Sequence, residues 1–438
     1  MSLHAVLRSW ICAAILACGS LPGHSQDSSD WGLDFSGTLD FGAAGYFQSP
    51  AHPHQKHHPA NVSFRPSLYF EHAEGGAFTL TPSFRWDTDG KEAIDVDIRE
   101  GYYLTYGYLG DTEWELRVGI DQVFWGTAES DNPVNIVNQT DLAADPAGDE
   151  KLGQPMIHGT LAGAWGTLNL IALPLHRPRT YPGAEGRLRT DLPVSDKGGD
   201  IFYVDTKHDR HLGLAARYSN SISVLDFGIS AFRGTSREPV LLPGNLEPEV
   251  CRNGNPRLPM KQSPEPYRHC YPQIEQIGLD LQLTLGDFIG KAEMISRSGF
   301  GVKGYRKGQD TSGYRAFVVG GEYTLYGIFE SGADLTFFAE WSQDERRAYA
   351  TTPWQNDLFL ATRYALNDVG DTSFTAAMVD DADYPTRSLT LLFERRLNNS
   401  LSLEVEAYTF LQKPTPLDQA TWHVRDDAYL SAVMSYGF

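Results

Sequence analysis

Four imidazoles fall within one short stretch, "AHPHQKHHPA" at residues 51–60: His52, His54, His57 and His58. Imidazole nitrogens are good ligands for zinc, copper or nickel, and a His-rich tract can bind such ions without a fixed fold. A solvated loop explains the same residues equally well, so no metal is assigned to them. Cys251 and Cys270 flank the Pro-rich, charged segment "CRNGNPRLPMKQSPEPYRHC". No CxxC spacing for zinc and no thiol-activating neighbourhood accompany them, so the pair reads as a disulfide closing a surface loop in an oxidising compartment. The chain contains no GxSxG, HExxH or P-loop sequence. The expectation is therefore a protein that is not an enzyme and holds no cofactor.

The remaining candidate chemistry is electrostatic. Residues 126–155 carry Glu129, Asp131, Asp141, Asp145, Asp149 and Glu150 against Lys151 alone. Their spacing matches no EF-hand pattern. The next such segment, "LHRPRTYPGAEGRLR", carries Arg177, Arg179, Arg187 and Arg189 opposed only by Glu185. Arginine suits both phosphate and carboxylate geometry, so this segment could gather anions or pair with the acidic one. The whole chain has a formal net charge of −20, which argues against a nucleic-acid partner.

Elements must position these groups, and two patterns identify them. The N-terminus places Arg8 before a short apolar stretch, Ser9 to Cys18, and then small and turn residues, the layout of a secretory signal peptide over residues 1–25. A lipoprotein signal at Cys18 is the alternative, which the bulky Leu16 counts against. Beyond it no run of 18 apolar residues occurs, so ordinary membrane-spanning helices are excluded. Segments of about ten residues instead alternate with a period of two, as strands do. "NVSFRPSLYFEH" sets Val62, Phe64, Pro66, Leu68 and Phe70 against Ser63, Arg65, Ser67, Tyr69 and Glu71. The stretches "AFTLTPSFRW", "WELRVGIDQ" and "SLSLEVEAYTFLQ" repeat the pattern.

Such alternation also fits a soluble sheet with one wet face. Loop lengths separate the two readings. Tight links such as "LGDT", "LGD" and "RLNN" alternate with long connections such as residues 126–155, 176–210 and 234–271. A closed antiparallel transmembrane β-barrel with short turns at one rim and long loops at the other has that rhythm, and a sandwich does not. The segments number about 18, from residues 31–47 to 426–438, with 113–125, 221–233 and 330–342 among them. A count of 16 stays open, because "IFYVDTK" at 201–207 also reads as a strand. Residues 26–438 then form one all-β barrel domain.

The chain ends on "YLSAVMSYGF", with Leu430, Ala432, Met434, Tyr436 and Phe438 on one strand face. This ending resembles the terminal recognition strand of Gram-negative outer-membrane barrels, and the architecture is most similar to general porins and related uptake channels. The block "QVFWGTAESDNPVNIVNQTDLAADPAGDEKLGQPMI" is similar to segments of uncharacterised proteobacterial barrel proteins.

The resemblance implies a porin-like channel in the outer membrane of a Gram-negative bacterium, passing small hydrophilic solutes by passive diffusion. Its implied partners are outer-membrane lipid and lipopolysaccharide, the barrel assembly machinery that would read Tyr436 and Phe438, and, as an option, two further copies in a trimer. The third outer loop would fold inward and narrow the lumen. Its acids Glu129, Asp131, Asp141, Asp149 and Glu150 would then face a wall bearing Arg65, Arg85, Arg99 and Arg117, with Glu340 and Glu404 lining later strands. Aromatics at strand ends, Trp86, Trp114, Trp125, Trp165, Trp341, Tyr436 and Phe438, would form interfacial girdles. The alternative is a non-conducting structural or partner-binding barrel.

Overall fold

A chain apolar at every second position needs two environments, and this one obtains them by closing a sheet on itself. The computed structural model describes residues 31–438 except 74, 92–93, 205–209, 245–250, 252–264, 300–312, 348–349, 417 and 419–420. The expected signal peptide, residues 1–25, lies outside the described residues. The strands are β1 (Trp31–Tyr46), β2 (Ala60–His72), β3 (Ala77–Asp87), β4 (Asp95–Leu109), β5 (Thr112–Asp121), β6 (Gln154–Gly163), β7 (Gly166–Leu173), β8 (Ile201–Tyr203), β9 (Gly213–Ile222), β10 (Leu225–Thr235) and β11 (Val240–Leu242). They continue as β12 (Arg268–Tyr271), β13 (Gln273–Leu285), β14 (Phe288–Ser298), β15 (Tyr314–Leu325), β16 (Asp334–Asp344), β17 (Asn356–Ala365), β18 (Ser373–Asp381), β19 (Arg387–Arg396), β20 (Leu401–Gln412) and β21 (Tyr429–Gly437).

All but β8, β11 and β12 join one 18-stranded antiparallel sheet. Each barrel strand pairs with the next in the chain, and β21 pairs back on β1 from Thr38↔Gly437 to Tyr46↔Tyr429. The wall therefore has no free edge. The "IFYVDTK" segment supplies β8, which runs parallel to β12 in a small sheet apart from the wall, so the barrel count is 18. That small sheet joins two long loops, 174–212 and 236–272, and the Cys251–Cys270 disulfide is tied into it.

Tight turns follow β4 and β13, where Gly110 (φ 63°) and Gly286 (φ 62°) take left-handed conformations. No atom lies within 4 Å of a Cβ built on either, so the backbone rather than space calls for glycine there. Three strand boundaries differ from the sequence expectation by four residues. β10 begins at Leu225 because Ser223 turns the chain with φ 58°. β16 begins at Asp334, after a short 3₁₀ turn at Ile328–Glu330. β5 stops at Asp121, whose carbonyl accepts from Asn138 Nδ2 (2.9 Å).

The outer face is apolar. Leu33, Val96, Ile229, Ile277, Met294, Val319, Phe337 and Leu430 stand exposed on alternate strand positions around the ring. An apolar band on that scale is what lipid stabilises and water does not. Trp86, Trp165, Trp341 and Tyr436 also stand exposed. Trp125 departs from the girdle expectation: past the end of β5 it turns inward and is buried.

Two contacts fasten the seam. Gly37 and Phe438 exchange backbone hydrogen bonds (3.0 and 3.2 Å), and the Phe438 ring packs on Phe35 and Phe64 at centroid distances of 5.4 and 6.0 Å. At the opposite rim Arg187, from the loop after β7, reaches across and is 1% exposed. Its guanidinium pairs with Asp427 (2.7 Å), donates to the carbonyls of Gln48 and Asp426, and stacks over Tyr46 at 4.5 Å.

Candidate functional site

The lumen is built by side chains of the polar strand faces and by the loop after β5, residues 122–153. This loop does not stand outward. Gly126, at φ 148°, lets it turn in where a Cβ would lie 1.9 Å from Asn132 Oδ1. The backbone N–H groups of Thr127 and Ala128 then donate to Glu293 of β14 (2.6 and 3.0 Å). Those of Glu129 and Ser130, with the Ser130 hydroxyl, donate to Glu340 of β16 (3.0, 2.8 and 2.6 Å). Two wall carboxylates thus hold the loop by charge-assisted hydrogen bonds.

Beyond those anchors an apolar pad follows. Val134, Ile136 and Val137 pack with Trp125 on Met156, Ile171, Phe232, Ile274 and Ile295 of the wall. The loop then returns along β2 and β4, where Asp141 pairs with Arg99 (2.6 Å) and Glu150 with Arg65 (3.0 Å). Burial opposes the charge on Asp141, but Arg99 and the Thr180 hydroxyl outweigh it and hold the carboxyl below its ordinary range.

The expected site residues are therefore distributed as follows. Arg65 and Arg99 lie against acids of the loop itself rather than across open space from them, and Arg99 is only 5% exposed. Arg85 pairs with Asp87 (2.9 Å), and Arg117 pairs with Glu115 (2.8 Å) and lies 3.4 Å from Asp121. Glu129 pairs with Lys291 (2.5 Å). Glu340, 2% exposed, lies beneath the loop. Asp131, Asp149 and Glu404 line a luminal cavity of about 2320 Å³. Burial and the nearby Glu238 push the Asp131 carboxyl up to about 7.

That cavity lies between the loop and strands β1–β4 and β14–β21. One side is strongly acidic: Asp357, Asp381, Glu404, Glu406 and Asp418, with Glu406 accepting from the Tyr429 hydroxyl. The other side presents Lys151, Arg179, Arg189 and Arg237. Glu238 is held by Arg297 (3.3 Å) and Arg346 (3.5 Å), which keep its carboxyl well below the usual range despite burial.

Glu293 and the reach of Arg187 were missed from sequence. Glu293 sits at an inward parity on β14 with Lys291 and Arg297, a signal that could have placed it in the lumen. His57 and His58 contact each other at 5.2 Å in the loop after β1. Among the described residues no group of three or more His, Cys, Asp or Glu is arranged to hold a metal ion.

A closed ring of 18 antiparallel strands, apolar outside and charged within, defines the class. This is a porin-like barrel. No family model matches the chain, and no curated protein does. Among solved structures it is similar to a variant of the porin of Rhodopseudomonas blastica at 9% identity, covering 93% of this chain and 100% of that one with a TM-score of 0.41. A triple mutant of the same porin matches at 9% identity and TM-score 0.40, over 93% and 100% of the two chains. A structure described as asymmetric conductivity of engineered proteins matches at 10% identity and TM-score 0.40, over the same shares.

Proposed function

We propose that this protein is an outer-membrane channel for passive diffusion of small hydrophilic solutes, narrowed by the loop at residues 122–153. The observation that carries the reading is the cavity of about 2320 Å³ lined with charged and polar side chains inside a wall whose outer face is apolar. An 18-strand ring is wide enough for water rather than for a side-chain core alone. The loop, anchored on Glu293 and Glu340, occupies part of that width.

The lumen favours cations. Asp145, Asp149, Asp191, Glu404, Glu406 and Asp418 have no ion-pair partner within 4.0 Å among the described residues, and they outnumber the unpaired cations Lys151, Arg179, Arg189 and Arg237. A ring with excess acid concentrates cations. Purified protein in planar bilayers should give discrete current steps, with a reversal potential in a KCl gradient on the cation-selective side. Absence of steps would sink the channel reading.

The apolar pad beneath the loop favours a second reading, a barrel closed by its own loops and serving as a structural or partner-binding element. That reading requires zero current from folded, inserted protein.

A further inference from the structure

We propose that Lys151, Arg179 and Arg237 form a docking site for a small oxyanion, a carboxylate or phosphate group carried by a solute in the lumen. All three line the cavity, and none has a carboxylate within 4.0 Å among the described residues. They are held on one short loop run, residues 137–140. The Arg237 Nε donates to the carbonyl of Val137 (2.9 Å), Arg179 Nε to Gln139 Oε1 (3.4 Å), and Lys151 Nζ to Thr140 Oγ1 (3.1 Å). Chain pairing fixes the arrangement: Thr140 bridges Lys151, and Asp141 bridges Thr180. Adjacent extended segments lie about 4.8 Å apart, so the Lys151 and Arg179 backbones lie roughly 10 Å from each other on either side of Thr140.

The acids of this neighbourhood are engaged elsewhere or stand farther off. Glu238 is taken by Arg297 and Arg346, Asp141 by Arg99, and Glu150 by Arg65. Asp131, Asp145 and Asp149 act on Lys151 only from beyond ion-pair distance. Burial without a counter-ion is unfavourable for a cation: it lowers the Lys151 ammonium, with Arg179 adding to the effect, and it brings Arg237 down to about 10. Arg237 is 5% exposed, and its buried Nη2 has no hydrogen-bond partner. An oxyanion would supply the Arg237 Nη2 with the acceptor it lacks and all three cations with a counter-charge.

The inference rests on the channel reading, and its test separates the two. Single-channel currents in KCl are recorded with succinate and, in a separate arm, with inorganic phosphate. Concentration-dependent block is expected in at least one arm, and the arm in which it occurs identifies the acceptor group. In the Lys151→Gln/Arg179→Gln variant the half-blocking concentration should rise about tenfold or more, with Arg179→Lys intermediate. If the double variant does not migrate as a folded, heat-modifiable barrel, Arg179→Gln alone carries the same reading. Current steps with no block by either anion, or with block unchanged in the variant, overturn the site. If no steps occur, the channel reading fails, and calorimetry with the same anions on detergent-solubilised protein decides the site. Equal heats from native and variant protein then overturn it.

Discussion

At the scale of single residues, the lumen is governed by carboxylates in two different situations. Glu293 and Glu340 accept five backbone N–H groups of the loop between them, counting the longer Val134 contact (3.4 Å). Hydrogen bonds to a charged acceptor contribute about 1.5–3 kcal/mol each. Glu293→Gln and Glu340→Gln together should free the loop, seen as faster proteolysis within residues 122–153 and noisier, larger current steps. Unchanged cleavage and noise would show that the apolar pad suffices. Asp131 is in the other situation, exposed to the cavity with its carboxyl raised to about 7. Its ordinary value is about 3.9. A raised acid stabilises the fold most below the ordinary carboxylate range and loses that contribution as pH rises through about 7. In the lumen the same proton removes a negative charge, so cation preference should fall between about pH 8 and 6. Asp131→Asn should shrink that step in the reversal potential, and a step of unchanged size in the variant would reassign it.

At the scale of elements, the two long loops after β7 and β10 are made into one body by the β8–β12 pairing, the β11–β12 pairing and the disulfide. Val240, Leu242, Cys251 and Cys270 form its small core, with Phe202 and Val204 against it. A disulfide closing a loop of this order contributes about 2–4 kcal/mol. Cys251→Ser/Cys270→Ser should therefore loosen this body without dissolving the wall. The expected result is new protease cuts in residues 236–272 with an unchanged gel shift on heating, and a lowered barrel melting point would contradict that independence. The wall itself was legible in sequence, because lipid on one side and water on the other impose a period of two on every strand. The loop path was not. "QVFW" at residues 122–125 continues the alternation of β5, yet the chain leaves the ladder at Asp121 because Asn138 claims its carbonyl. Likewise Glu340 was readable as inward-facing, but parity carries no information about what will cover an inward residue. Opposite charges on Arg99 and Asp141 were visible, while their contact depends on a loop trajectory set by Gly126 and the pad.

At the scale of the whole molecule, the ring is finished only when β21 meets β1. Phe438 takes part through two backbone hydrogen bonds and two ring contacts on the outer face. Deleting Phe438 should lower the amount of heat-modifiable barrel in the outer membrane, while the molecules that do assemble keep their step size. A normal yield would remove the terminus from assembly. The rim-side fastening has a different consequence, which lies in time. Arg187 precedes its carboxylate Asp427 by 240 residues, so it is synthesised long before its partner exists. Until the last strand docks, that guanidinium has neither Asp427 nor the paired rim of Tyr46 and Tyr429 to settle on. The Arg187 contacts of the loop after β7 thus form last, although the residue is made early. The loop's protection from protease is a built-in report that the circle is complete.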